Sequence, residues 1–314
     1  MNDSSGHPSL DTGCGILAVV IWSAAICLSR SLMEKLGTFT GGGLVFTISG
    51  VLSILLFLAL HRFDWRGLRP APAYLLACGV PFVLYVICLY LAVGLARNRQ
   101  QVVEVGLLNY LWPAMTLLLS VPVLKLRARP WLPLGLVMAF AGVVWANVAM
   151  SGQPFSVQGI RDRVAADATP YVLALAAAVL WGLYSNLVRR FAARGSVLGV
   201  PLFMLAGGLL LLGAGRCVPA APPHWSGAAL AELAAMVLFP SIAAYLLWDR
   251  AMRRGNLVLV ASVAYLAPLL STLWTGWYLG VPLPAGIWGA GALIVAGAWL
   301  SKTAVRESLA PLAP

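Results

Sequence analysis

The run Glu104-Val-Gly-Leu-Leu-Asn-Tyr-Leu-Trp-Pro113 sets a glutamate, an asparagine, a tyrosine and a tryptophan inside an apolar segment that continues to about Val123. A polar group taken out of water costs free energy unless it finds a partner. In a membrane helix such groups face a protein interior or a cavity rather than lipid. The end of the run returns later, where Ala261-Ser-Val-Ala-Tyr-Leu-Ala-Pro268 repeats Tyr-Leu-x-Pro. Both the solvent of this chain and its internal symmetry are read from that echo.

Outward from the run, the chain is 61% hydrophobic and 10% charged, against ~45–50% and ~25% in soluble domains. One soluble core cannot hide that much apolar surface, so lipid is the solvent for most of it. Crossing a bilayer takes roughly 20 mostly apolar residues. Ten such segments fall at 13–30, 41–60, 71–96, 100–123, 131–150, 170–189, 197–215, 227–249, 257–279 and 284–301. The predicted fold is therefore all-α and polytopic. Its longest connection, Ser151 to Thr169, carries Arg161, Asp162, Arg163 and Asp167 and divides the chain. Residues 1–150 form a first five-helix unit, 151–169 the connecting loop, 170–302 a second unit and 303–314 a tail.

The two units repeat one another. Trp22 and Trp181 have the same separation as Pro81 and Pro240. Tyr110 and Tyr265, Pro113 and Pro268, and Gly142 and Gly297 share a second, slightly shorter one. An odd number of spans per unit makes the two insert with opposite polarity, the inverted repeat of many secondary transporters, whose site lies near the midplane where the repeats meet.

Basic residues set the orientation. With the N-terminus inside, the inner connections hold Arg62, Arg66, Arg69, Lys125, Arg127, Arg129, Arg189, Arg190, Arg194, Arg250, Arg253 and Arg254, followed by Lys302 and Arg306 in the tail. The outer ones hold Arg30, Lys35, Arg97, Arg99, Arg161, Arg163 and Arg216. The bias of about two to one puts both termini in the cytoplasm. The net charge of +11 thus belongs to membrane topology, and no nucleic-acid partner is expected. Met1 to Asp11 lacks Lys or Arg ahead of the first apolar run, so no cleaved signal peptide is expected.

Soluble-enzyme chemistry finds no support. His7, His61 and His224 lie in the tail or loops at no metal-ligand spacing, and the five cysteines (Cys14, Cys27, Cys78, Cys88, Cys217) read as small buried hydrophobes. No phosphate-binding Gly-x-x-x-x-Gly-Lys-Ser/Thr loop or Gly-x-Ser-x-Gly elbow occurs. Neither metal nor cofactor is expected, and the chain does not read as an enzyme.

What remains is a set of ring and polar residues within the spans: Tyr85, Glu104, Asn109, Tyr110, Trp112, Trp181, Tyr245, Trp248 and Tyr265. Such a set suits a flat ring, since aromatic pairs contribute about 0.5–1.5 kcal/mol beyond burial. Cavity lining competes with interhelical hydrogen bonding for the tyrosines. Trp65, Trp131, Trp225, Trp274, Trp277, Trp288 and Trp299 read instead as interfacial belts. Glu104 has two readings. It lies near the start of its helix, where Asn98 and Gln101 resemble a capping box, within reach of Arg97 or Arg99; or it meets a substrate ammonium or a proton. Pro81, Pro113, Pro240 and Pro268 fall at matched places in helices three, four, eight and nine, and each kinks its helix. They are the predicted hinges. Gly135, Ala139 and Gly142, with Gly286, Ala290 and Gly297, permit close packing of the fifth and tenth helices, within the chain or between protomers.

Ten helices in two inverted fives with Tyr-Leu-x-Pro in helices four and nine resemble the drug/metabolite transporter superfamily of EamA type. The helix-four run, with Tyr85-Val-Ile-Cys88, Trp181 and Tyr245-Leu-Leu-Trp248, is similar to its YddG-like branch of aromatic amino acid exporters. The likeness covers about Gly13 to Ser301. Many superfamily members carry a glutamate after helices four and nine, where this chain has Leu124-Lys125 and Leu279-Gly280. The resemblance implies efflux of aromatic amino acids, with other neutral amino acids and planar cations such as methyl viologen, across a bacterial inner membrane by a monomer or homodimer. A broader drug or metabolite exporter of the same superfamily is the alternative, and an intramembrane enzyme, with only Glu104 and Glu232 as isolated candidates, is a distant one.

Overall fold

The computed structural model describes residues 8–60, 70–151, 156–191, 196–218, 222–279 and 283–306. Arg62, Arg66, Arg69 and Arg194, part of the basic count, lie outside the described residues, as do His7, His61, Trp65 and the tail beyond Arg306.

The chain is a polytopic all-α membrane protein. Among the described residues, eight helices are long and apolar enough to cross a bilayer. In chain order the helices are α1 (Pro8–Leu36), α2 (Thr38–Leu60), α3 (Pro72–Gly94), α4 (Gln100–Leu124) and α5 (Leu132–Ser151). Then come α6 (Val157–Ala166), α7 (Thr169–Arg190), α8 (Gly199–Ala214) and α9 (Gly227–Arg254). The last are α10, which runs from Leu257–Val263 through a tight turn into Ala267–Leu279, and α11 (Gly286–Ala304). Two expected spans fall short of the eight: α8 has only 16 residues, and α11 is diluted by glycines, Trp288, Trp299 and Lys302.

Two features of the connections differ from expectation. The connection 151–169 contains helix α6, started by the Ser156 side chain, whose oxygen accepts from Gly159 N–H. Two-residue strands β1 (Arg127–Ala128) and β2 (Val305–Arg306) pair antiparallel after α4 and α11. Strands that short give no periodicity to read.

The main helix contacts are α5 with α11, α2 with α8, α3 and α4 with α7, α1 with the second half of α9, α1 with α10, and α4 with α10. Exchanging helices α1–α5 for α7–α11 carries this set into itself. Close approach needs small residues. A Cβ on Gly142 of α5 would lie 2.6 Å from Ile294 Cγ1 and 2.9 Å from the Ala290 carbonyl oxygen of α11. That seam closes within the chain.

The connections gather at two ends. At one, Asp11 meets Arg250 at 2.6 Å, Thr12 accepts from Asn256 N–H, Arg253 donates to Tyr74, Arg189 to the Gly255 carbonyl and Arg190 to that of Val123. β1 and β2 lie at this arginine-rich end. At the other, the α6 end, Lys35 meets Glu232 at 2.6 Å and Arg97 meets Asp167 at 3.0 Å.

Each matched proline comes with a departure from α geometry. Wider π turns occupy Leu75–Gly79, just before Pro81, and Val237–Ala243, which contains Pro240. In α4 the helix ends at Asn109 and restarts at Trp112, just before Pro113; in α10 a 3₁₀ turn at Ala264–Leu266 precedes Pro268. Proline cannot donate to the carbonyl four residues back and its ring crowds that turn, so the ladder is displaced at all four sites.

Candidate functional site

The breaks in α4 and α9 border a ring-lined cavity of about 320 Å³. That is near the lower end of the ~300–1,000 Å³ usual for small-molecule sites. Six of the sequence-derived residues line it together: Tyr85 of α3, Asn109, Tyr110 and Trp112 of α4, Trp181 of α7 and Tyr245 of α9. Trp22, Phe46 and Tyr90 complete the ring wall, with Ser23, Ser29 and Ser241 as small polar groups.

The rings brace one another mostly edge to face. Trp181 is the hub, with centroids 4.7 Å from Tyr85, 5.7 Å from Tyr245 and 6.2 Å from Trp112. Trp22 and Trp181, equivalent positions in the two halves, meet at 5.7 Å and 77°. Trp22 Nε1 donates to the Pro240 carbonyl at 2.9 Å, so α1 is tied to the π turn of α9 at the cavity wall. Asn109 Oδ1 is buried with no hydrogen-bond partner among the described residues. Those lining the cavity include no Asp, Glu, His, Lys or Arg. The site can therefore hold a ring by its faces and edges and can offer a single orphaned acceptor to a donor.

Three expected members stand elsewhere. Trp248 is fully buried behind the wall, 5.3 Å from Trp112, and its Nε1 donates to Ser185 Oγ. Tyr265 packs with Tyr110 in the neighbouring core between α4, α5, α10 and α11. Glu104 accepts from Arg163 Nε at 3.0 Å and from the Tyr171 hydroxyl at 2.5 Å, away from the cavity. Its cation comes from α6, where the sequence pointed to Arg97 or Arg99; Arg97 is engaged by Asp167. Asn98 does cap α4, accepting from Gln101 N–H, but the Gln101 side-chain oxygen accepts from Arg97 N–H rather than from Asn98 N–H. The Asn186 side chain ties α7 to α4, donating to the Thr116 carbonyl at 2.9 Å. Glu232, the other carboxylate within the spans considered for chemistry, is bound to Lys35 and Ser31.

Trp22 served only to mark the repeat in the sequence. As the counterpart of Trp181 it should stand wherever the pseudo-symmetry brings the halves together, and that signal was sufficient to find it. Phe46 and Tyr90 carry no such mark, because their helices are apolar on every side.

The EamA-like transporter family model matches the chain twice, over residues 13–148 and 168–303. The chain is 31% identical to the aromatic amino acid exporter YddG of Salmonella typhimurium, over 93% of this chain and 97% of that protein. It is 30% identical to the protein of the same name from Escherichia coli, with the same coverage. A solved crystal structure superposes with a TM-score of 0.77 at 29% identity, covering 94% of this chain and 98% of the other.

Proposed function

The chain belongs to the EamA-like transporter family, and from that premise we propose that it exports aromatic amino acids through the ring-lined cavity by alternating access. It is a multi-pass membrane transporter; the substrate and the mechanism are this proposal. The observation that carries it is the convergence of Tyr85, Asn109, Tyr110, Trp112, Trp181 and Tyr245 on one cavity. Ring walls hold the substrate side chain, and Asn109 Oδ1 accepts from its ammonium. Trp248 and Tyr265 support the wall from behind, and Glu104 fixes α4 to α6 and α7. Other neutral amino acids lack the ring, so they gain less from these walls; a planar cation gains from them through cation–π attraction.

We read the architecture as ten spans in two oppositely inserted fives. The grouping of alternate connections at the two ends of the bundle supports this, since each successive span then reverses direction. The arginine-rich end is assigned to the cytoplasm of a bacterial inner membrane. The cavity extends along α1 from Val19 to Ser29 and along α4 from Gly106 to Trp112, toward the α6 end. The opposite end is closed by Trp248, Tyr184, Tyr74 and the Asp249–Arg253 pair. On that assignment the conformation is open to the outside, and the four proline sites are the hinges about which the half-helices bend.

Each carboxylate described within a spanning helix has a basic partner: Asp11, Glu34, Glu104, Glu232 and Asp249 pair with Arg250, Arg30, Arg163, Lys35 and Arg253. A proton carrier must give up its counter-ion during turnover, so this pairing favours flux down the substrate gradient. The test is export of labelled phenylalanine and threonine from proteoliposomes, with and without a protonophore. Phenylalanine flux at least about tenfold above threonine is expected, about the discrimination that one or two ring contacts provide, with no response to the protonophore. Trp112→Ala and Trp181→Ala should each abolish that preference at equal protein levels. Equal flux of both substrates would favour the broader metabolite exporter, and uphill accumulation driven by protons would refute the uncoupled mechanism.

A further inference from the structure

A second cavity lies outside the aromatic chamber. A groove of about 460 Å³ opens at the arginine-rich end where α4 finishes and α5 begins. Leu118, Val121, Pro122, Leu132 and Pro133 form its apolar walls, and Arg129 stands in its lining beside Ala128. Leu118, Pro122 and Pro133 are exposed, as are Leu134 and Val137 farther along α5. The groove thus faces outward from the bundle, where a spanning protein meets acyl chains.

Among the described residues, no acidic side chain pairs with the charge at its mouth. Arg129 lies over the Trp131 ring, with its guanidinium carbon 4.8 Å from the centroid. The adjacent strand pair sets Arg127 directly across from Arg306, and like charges facing each other across a ladder are destabilising. None of these three arginines forms an ion pair with an acidic side chain among the described residues. An apolar groove with Arg129 in its lining and Arg127 on the adjoining strand, at the membrane interface, suits an amphiphile with an anionic head. Arginine suits phosphate because its planar fork makes two parallel charge-assisted hydrogen bonds, and basic pockets between membrane helices hold anionic lipid headgroups.

We propose that this groove binds an anionic phospholipid of the surrounding bilayer. One acyl chain lies along Leu118, Val121 and Pro133, and the phosphate is met by Arg129 and Arg127. The inference depends on the chain crossing a membrane and not on what it transports, so either can fail without the other.

The test is native mass spectrometry of the full-length protein in mild detergent, titrated with phosphatidylglycerol or with phosphatidylcholine carrying the same acyl chains. Phosphatidylglycerol should be retained in preference. Arg129→Gln should weaken it about fivefold, and Arg127→Gln with Arg129→Gln about 25-fold, as loss of one and two surface charges dictates. Leu118→Trp keeps every charge and fills the groove, so it should displace both lipids; it also tests the site if the arginine variants fold poorly. Equal retention of the two lipids, or wild-type retention of phosphatidylglycerol by the double variant, would overturn the proposal. So would displacement of the lipid by inorganic phosphate at millimolar concentration, which would identify a free-anion site instead.

Discussion

Asn109 ends the first piece of α4, immediately before the backbone leaves the helix at Tyr110. Its Oδ1 is buried with no hydrogen-bond partner among the described residues. An orphaned buried acceptor costs about 1–3 kcal/mol, and on the proposed function the substrate relieves that cost. An ammonium donor at that point restores the bond, and a hydrogen bond to a charged group is worth about 1.5–3 kcal/mol. Asn109→Ala is accordingly expected to raise the KM for phenylalanine by about tenfold or more, with kcat little changed if the bond is made equally throughout turnover. Asn109→Asp keeps the acceptor and should retain a KM near wild type. Initial rates in proteoliposomes measure both, and a wild-type KM for the alanine variant would remove Asn109 from the ammonium site. Trp181 differs in kind: it touches Trp22, Tyr85, Trp112 and Tyr245 at once, so its loss collapses the wall rather than one contact.

At the scale of elements, α6 holds the first half to the second. Glu104 of α4 is buried and joined to Arg163 of α6 and Tyr171 of α7. Hydrogen bonding to Glu104 pushes the Arg163 guanidinium above its ordinary pKa, so this pair keeps its cation at any working pH. The backbone N–H of Thr169 first, then its hydroxyl and Arg97, hold the Asp167 carboxyl below the usual range. A carboxyl depressed in the folded state adds stability above its unfolded pKa of about 3.9 and loses it as pH falls through the folded value. Acidification to about pH 5 therefore leaves this connection intact. Glu104→Gln strands a partly buried arginine and should lower stability by about 2–3 kcal/mol, below the figure for a fully buried pair because Arg163 is 29% exposed. The double variant Glu104→Gln, Arg163→Gln should lose less than the sum of the single changes. Additive losses in thermal unfolding would dissolve the coupling, and a raised KM with unchanged stability would return Glu104 to the substrate. Of these elements the eight long apolar helices were legible, because apolar runs are written in linear order. The placement of Glu104 was not: Asn98 and Gln101 mark a helix start correctly, but nothing in the order of residues says that Arg163 folds back across it.

For the molecule as a whole, the proposed alternating access depends on which end of the bundle is held shut. At the arginine-rich end Asp249 and Arg253 pair one turn apart on α9 at 2.6 Å. Arg253 donates to Tyr74 of α3 and lies over its ring, 4.9 Å from the centroid. Tyr74 in turn packs on Phe203 of α8. This network joins α3, α8 and α9 beyond the π turns at Leu75–Gly79 and Val237–Ala243, so it fastens the two half-helices whose bending would open the cavity to that side. Native Cys78 lies within it, fully buried and in the field of Arg253 and Asp249, and serves as a reporter. In wild-type protein an impermeant maleimide applied from the arginine-rich side should reach Cys78 only during rare openings. Arg253→Ala removes both the hydrogen bond and the ring contact, leaving Asp249 without its cation. The closed state then loses stability relative to the open one, and each ~1.4 kcal/mol lost raises the open population about tenfold. Cys78 labelling in inside-out vesicles, with Cys14, Cys27, Cys88 and Cys217 replaced by serine, should accelerate by at least about that factor. Saturating phenylalanine, if it is the substrate, should accelerate labelling of the wild type as well, because a transported ligand must populate the opposite opening. Labelling at one rate in both proteins would mean that the seal lies elsewhere along α3 and α9.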